Sequence, residues 1–353
     1  RRVMEHRRVY ALDVLKLFLA YVVAYFHGSM EFRPGPTLAV QIFFMISGFF
    51  LARKFYDRSF ADHGAAYSAW NYTRDHVRSM YPHYLFSCGV LFLYLTARLC
   101  LDVARNPGAE MFRQLLLHLY NQIPDIFLLQ SAYHWHESLN YPLWQMSALL
   151  IAGYFVYALL CRDEKLARTI LFPAAIFMGM SLLVGQEDLF ANRGVIYLPL
   201  IRAFYPMCMG VLIFFFTTTR GYEALRAHRR LFDAAALLCL ACLIYFGEYG
   251  NIFLLTGGLL IVNCQDPESL LNRLFDRPCF RRCGKLSYAI FLNHTLICRI
   301  LWAQIVPRTS LPQWAIAVLY FVLLTGYSAV TTVLVEGWTK KHRQKSAAPG
   351  GRT

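Results

Sequence analysis

The amino-acid sequence predicts an all-α protein, a polytopic transmembrane helix bundle of about ten spans with both termini cytoplasmic. Three observations carry this prediction. The 353 residues are 57% hydrophobic and 16% charged, where a soluble domain carries about 25% charged residues. The apolar residues gather into long runs, and a bilayer core about 30 Å thick takes about 20 of them per helix. Lys and Arg fall in alternate loops, which is a topology signal.

Ten runs qualify as spans: 9–30, 37–54, 82–100, 139–160, 166–184, 198–217, 231–247, 250–264, 286–305 and 314–336. The first follows Arg1, Arg2, Arg7 and Arg8, contains Asp13 and Lys16, and is not followed by a small-residue cleavage site. It reads as a retained signal-anchor helix. The eighth is short and holds Gly250, Gly257 and Gly258, so a tilted or partly re-entrant course is expected. Residues 1–340 are read as one transmembrane domain and 341–353 as a flexible cytoplasmic tail. No repeat with a period of 20–50 residues is visible.

The charges orient the spans. Twenty-six of the 35 Lys and Arg lie in the loops on the side of the N-terminus, and five, Arg33, Arg105, Arg113, Arg193 and Arg308, lie in the opposite loops. This split puts both ends in the cytoplasm. It also accounts for the net charge of +14 without a nucleic-acid surface, and the lipid bilayer is the partner it implies. The outer segment 101–138 joins an amphipathic stretch, Met111–Leu119, to a polar cluster, Tyr133–Glu137. It is expected to lie at the outer interface or to fold back into the bundle. The inner segment 53–81 reads as an interfacial loop on anionic lipid. The ten cysteines read as small hydrophobes in lipid or helix interfaces, with no disulfide framework, and no metal site is expected.

Ionisable groups inside a bilayer are costly and need a reason. Lys16 and His27 are eleven residues apart, which places them on one helix face about 16 Å apart along the axis. Asp13 stands one turn below Lys16. Either the two end groups reach the headgroups on each side, or one stripe of this helix carries a cation at its inner end and an imidazole at its outer end for a purpose. In the second run, Ser47 and Gly48 permit close helix approach. Asn140–Gln145 opens the fourth span and Arg202 the sixth, both on the outer side. Trp144 reads as interfacial belt or site, and Arg202 as snorkelling or site. His294 and Arg299 lie within the ninth span. His294 is too deep to snorkel easily, so a pore-facing or bundle-facing role is expected.

These residues resemble the acyltransferase family 3 of multi-span membrane proteins. The likeness runs from Leu12-Asp13-Val14-Leu15-Lys16 to His27. It continues through Phe43-Phe44-Met45-Ile46-Ser47-Gly48-Phe49, then Tyr72-Thr73-Arg74 with Arg78 and Pro82. Leu143-Trp144 with Ser147, Ser287-Tyr288-Ala289-Ile290-Phe291-Leu292-Asn293-His294 and Val335-Glu336 complete it. Lys16 stands where the family usually has Arg, and Arg78 precedes the proline by four residues, not three. The resemblance implies transfer of an acyl group, often acetyl, from cytoplasmic acyl-CoA (acetyl-CoA being the expected donor) to an acceptor at the outer face. The family's acceptors are mostly cell-surface glycans, glycolipids or secreted small molecules.

In this reading Lys16, Arg74 and Arg78 attract the nucleotide phosphates. His27 is the general base, since an unperturbed imidazole titrates near pH 6.5. Asn140, Trp144, Arg202 and His294 line the acceptor side. The protein is expected in the cell membrane as a multi-pass enzyme. The rivals are a transporter or flippase, which would show inverted repeats, and a non-catalytic module on the same scaffold.

Overall fold

A computed structural model describes residues 9–28, 36–59, 68–131, 138–184, 192–193, 196–245 and 254–347. The described chain is helical almost throughout. In order come α1 (Tyr10–His27), α2 (Pro36–Ser59), α3 (Ala69–Arg105), α4 (Ala109–Ile126), α5 (Trp144–Arg162), α6 (Glu164–Leu166), α7 (Phe172–Leu183) and α8 (Leu198–Phe216). Then follow α9 (Arg220–Ala227), α10 (Arg229–Tyr245), α11 (Leu254–Gln265), α12 (Leu270–Phe275), α13 (Cys283–Ile300) and α14 (Gln313–Ala347). Two-residue strands, Asn192–Arg193 and Ile196–Tyr197, form one antiparallel pair.

Among the described residues, eight helical segments are long and apolar enough to cross a membrane: Tyr10–His27, Thr37–Asp57, Ala69–Arg105, Tyr141–Arg162, Glu164–Leu183, Leu198–Phe216, Pro278–Arg308 and Gln313–His342. The other two expected spans are also helices, α10 and α11, of 17 and 12 residues, shorter than a full crossing within the described residues. The helices present apolar side chains outward, as lipid requires: Leu93, Phe177, Leu238, Val322 and Val333 are all exposed. On α14, the exposed Trp314 and Trp338 stand about 36 Å apart by helical rise. That spacing suits the two headgroup layers where tryptophan collects.

Two segments expected as loops are largely helix. Residues 53–59 prolong α2, and 69–81 open α3, whose start is capped by Ser68 Oγ accepting from Asn71 N at 3.3 Å. Apolar runs locate only the lipid-buried part of a helix, and ordinary residues continue it into water at a propensity cost of at most about 0.7 kcal/mol each. Pro82 lies inside α3; it lacks the N–H that would bond the carbonyl of Arg78. The outer segment folds back. α4 returns along α3, with His118 Nε2 2.8 Å from Thr96 Oγ1 and its ring stacked on Phe92 at 5.1 Å. At its end Asp125 is buried, its carbonyl accepting from Tyr84 OH at 2.6 Å. The outer residues Tyr133–Glu137 lie outside the described residues.

α1 is the central helix. One face, Leu12, Leu15, Leu19, Val22 and Val23, joins the core with α2, α5, α8 and α11. The opposite face, Ala20 and Ala24, packs on Ile290 and Ile297 of α13 and on Tyr320 and Leu324 of α14. Small residues at this spacing let helices approach closely where no hydrophobic force separates them from lipid. The closest crossing is between α2 and α8, and it is reciprocal. A Cβ on Gly48 would lie 2.7 Å from the carbonyl carbon of Met207, and one on Gly210 would lie 2.8 Å from that of Met45.

Candidate functional site

The polar stripe of α1 has a lower and an upper end. At the lower end Lys16 Nζ lies 2.7 Å from Asp13 Oδ1 and 5.3 Å from the centroid of the Phe50 ring. The buried Asp13 carboxylate abuts Gly284 in the first turn of α13, where a Cβ would sit 2.7 Å from Asp13 Cγ. A carboxylate at a helix N-terminus is also favoured by the helix dipole. At the upper end is the half-buried His27. The Gly28 N–H closes the end of α1 on Ala24 O and Tyr25 O, and three carbonyls there accept from neighbouring helices as well. Ala24 O accepts from Tyr320 OH at 3.1 Å, His27 O from Cys298 Sγ at 3.1 Å, and Gly28 O from Trp302 Nε1 at 2.9 Å. Three anchors, on α13, on the π-helical turn Leu301–Ile305 that follows it and on α14, therefore fix the backbone that carries His27.

His294 of α13 is fully buried, with its ring centroid 5.2 Å from that of His27 and the planes 33° apart. Its Nδ1 lies 2.7 Å from the carbonyl oxygen of Phe291. A carbonyl only accepts, so Nδ1 carries the proton.

A cavity of about 420 Å³ lies between α1, α2, α3, α5 and α13. Its lower part is polar, with Lys16, His76, Ser79 and Gly284; its upper part is Phe43, Phe44, Gln145 and Phe291. Ser47 also lines it, with its hydroxyl bonded back to Phe43 O at 2.9 Å. The cavity stops at the aromatic rings. Phe43 and Phe291 are 6.3 Å apart at their centroids, and immediately beyond them lie His294, 5.8 Å from Phe291, and Trp144, 6.1 Å from Phe44. One layer of rings thus separates the cavity from the imidazole pair.

On the far side of that layer the Arg202 guanidinium stacks over Trp144 at 4.8 Å. Both are buried, at 4% and 6% exposure, which removes the snorkelling and interfacial-belt readings. Gln41 Nε2 donates to Tyr205 OH nearby at 2.7 Å. Asn140 Nδ2 donates to the carbonyl of Leu292 at 3.0 Å, and Ser87 Oγ donates to the same oxygen at 2.8 Å. Asn140 therefore braces α13 two residues before His294. Ser131 joins Ser147 and the Trp144 carbonyl, and Asp125 Oδ2 accepts from Ser138 Oγ at 3.0 Å and from Leu139 N at 3.2 Å, which together seat the return of the outer segment.

The expected site residues thus divide. Lys16 reaches the cavity; His27, His294, Trp144 and Arg202 stand beyond its ring layer. Arg74 and Arg78 are exposed on α3 and do not line the cavity; His76 and Ser79 of the same helix do. His76 and Gln145 were not singled out in the sequence, although each lies within a segment that was. All ten cysteines are free thiols, and among the described residues no three His, Cys, Asp or Glu groups cluster as metal ligands. A larger crevice of about 620 Å³ runs along α6, the π-helical turn Ala167–Leu171 and α8, but its Arg168 is paired with Glu164 at 2.7 Å and stacked on Phe215 at 3.6 Å.

Fold and site together define a multi-pass membrane protein with a cavity that reaches a lysine on its central helix. The acyltransferase domain model of the acyltransferase 3 family matches residues 9–333, nearly the whole chain. The chain belongs to that family and is a membrane acyltransferase. No curated protein and no solved structure matches it.

Proposed function

We propose that the protein transfers an acyl group, acetyl by preference, from cytoplasmic acyl-CoA to a hydroxyl of a cell-surface glycan, glycolipid or small molecule at the cell membrane. The observation that carries this reading is the cavity that begins at Lys16 and ends one ring layer below His27 and His294. A thioester entering from the cytoplasm extends its thin pantetheine arm along α1, with the nucleotide phosphates left near Lys16. Arg74 and Arg78, exposed on the same side, draw the phosphates in. The rings of Phe43, Phe44 and Phe291 leave little room for a long chain, which favours acetyl.

His27 takes the proton of the acceptor hydroxyl as its oxygen bonds the acyl carbon. The carbon–sulfur bond then breaks, the thiolate leaves, and the imidazolium returns the proton to it. Arg202, buried against Trp144, holds the acceptor or the developing oxyanion. The charge split of the loops supports cytoplasmic termini, with the cavity mouth on the cytoplasmic side.

Mass spectrometry of surface glycans and secreted metabolites from cells with and without the protein tests this reading. The expected result is one class of molecule that is heavier by an acyl group only when the protein is present. Identical profiles in cells that make the protein and its donor would overturn it.

A further inference from the structure

The acyl-transfer reading assigns His27 a role and leaves unexplained a second imidazole, fully buried and in ring contact with the first. A buried histidine nitrogen without a partner is costly, so a reason for it is expected in the chemistry. Three facts define this group. The Phe291 carbonyl, 2.7 Å away, fixes the proton on Nδ1. The other nitrogen, Nε2, is therefore a lone-pair acceptor, and it is buried with no hydrogen-bond partner among the described residues. The ring 5.2 Å from it, centroid to centroid, is that of His27, a separation at which two imidazole edges come within direct or one-water hydrogen-bond reach.

We propose that His294 is a positioning residue for His27: during the reaction its Nε2, unpartnered in this structure, accepts the N–H of His27 and so turns the other His27 nitrogen, unprotonated, toward the acceptor hydroxyl. This rests on the reading of His27 as general base. A neutral imidazole has one N–H and one lone pair, and the wrong tautomer presents its N–H to the hydroxyl and cannot abstract a proton. His294 selects the working tautomer by offering only a lone pair, and the Phe291 carbonyl enforces that offer. When His27 has taken the acceptor's proton, its second N–H remains bonded to His294 Nε2, which shares the imidazolium charge. The site around this pair is braced for such precision. Asn140 and Ser87 hold the Leu292 carbonyl, while Cys298, Trp302 and Tyr320 hold the end of α1.

The test uses the purified full-length chain in lipid, with kcat and KM for donor and acceptor read from CoA release. His294→Gln carries an amide oxygen that can stand near the original Nε2 and accept from His27. His294→Asn is equally polar but one methylene too short to reach. The expected result is that His294→Asn loses kcat by roughly 10–100-fold, the usual cost of removing a histidine's orienting partner, with both KM values within about twofold of the parent. His294→Gln recovers most of that loss. Equal kcat for the two variants would overturn the proposal, and so would a rise in acceptor KM with kcat unchanged, which would make His294 a substrate contact. Melting temperatures of both variants separate a folding defect from a kinetic one. His27→Gln in the same assay keeps the two readings apart: parental turnover there refutes His27 as base, whereas an inactive His27→Gln beside a fully active His294→Asn refutes only the positioning role.

Discussion

Substituting Gly48 with alanine drives a Cβ against the backbone of α8. The new carbon would lie 2.7 Å from the Met207 carbonyl carbon and 2.8 Å from its α-carbon. The Met207 carbonyl oxygen is nearer still, and ordinary contact needs about 3.5 Å, so α2 and α8 must part by more than about 1 Å, and a backbone atom cannot swing aside as a side-chain end would. An overlap of this size with backbone atoms belongs at the upper end of the overpacking range, about 3 kcal/mol, offset by about 0.5–1 kcal/mol from replacing a helical glycine. A net loss of about 2 kcal/mol corresponds to a fall of about 4 °C in melting temperature for a large domain. Gly89 supplies the control, because a Cβ there meets nothing within 4 Å, so Gly89→Ala should match or exceed the parent. Gly210 tests the geometry further, since its Cβ would strike the same crossing from the other side at Met45. Once one alanine has separated the helices, the second finds room. The Gly48→Ala/Gly210→Ala variant should therefore lose clearly less than the sum of the two single losses. Thermal melts of detergent-purified protein decide it. A Gly48→Ala protein that melts with the parent, or single losses that add in full, would refute the close crossing.

Lys16→Ala should weaken acyl-CoA binding by about tenfold or more while leaving acceptor binding alone, and Lys16→Arg should retain or improve it because a guanidinium fork grips phosphate; titration of purified protein with CoA measures both, and unchanged affinity in Lys16→Ala removes Lys16 from the donor site. Impermeant thiol reagents test orientation on a background cleared of other cysteines. Cys279, exposed in the turn Pro278–Arg282, should label only after cells are permeabilised, and Asn106→Cys, exposed between α3 and α4, should label in intact cells; the reverse pattern would invert the bundle.

The spans were legible because lipid imposes a single rule, about 20 apolar residues per crossing, and each run of them became helix. The helical rise likewise made the shared face of Lys16 and His27 legible, and Gly48 announced a close contact without saying with what. What the sequence could not show are contacts between distant segments. Nothing local tells that Gly284 must be bare because Asp13 lies against it, or that Arg202 stacks on a tryptophan 58 positions earlier. His294 was recognisable as too deep to reach water, but its neighbour His27 lies 267 residues away, and only the parallel packing of α1 and α13 brings the rings together. The helical extension of α3 before Pro82 was hidden for a different reason. Its residues mix charged and aromatic side chains without a long apolar run, and a search for such runs is blind to a helix that leaves the membrane.

The central claim, that His27 accepts the hydroxyl proton during acyl transfer, is tested most directly by single-turnover CoA release from acetyl-CoA in the presence of the acceptor, comparing the parent with His27→Gln. Glutamine keeps the size and polarity of histidine but has no nitrogen that titrates near neutral pH. The account predicts that the variant folds, binds acetyl-CoA as the parent does, and releases CoA about 10²–10⁴-fold more slowly, the range that general-base catalysis supplies. Near-parental release by His27→Gln from pH 6 to 8 would contradict it.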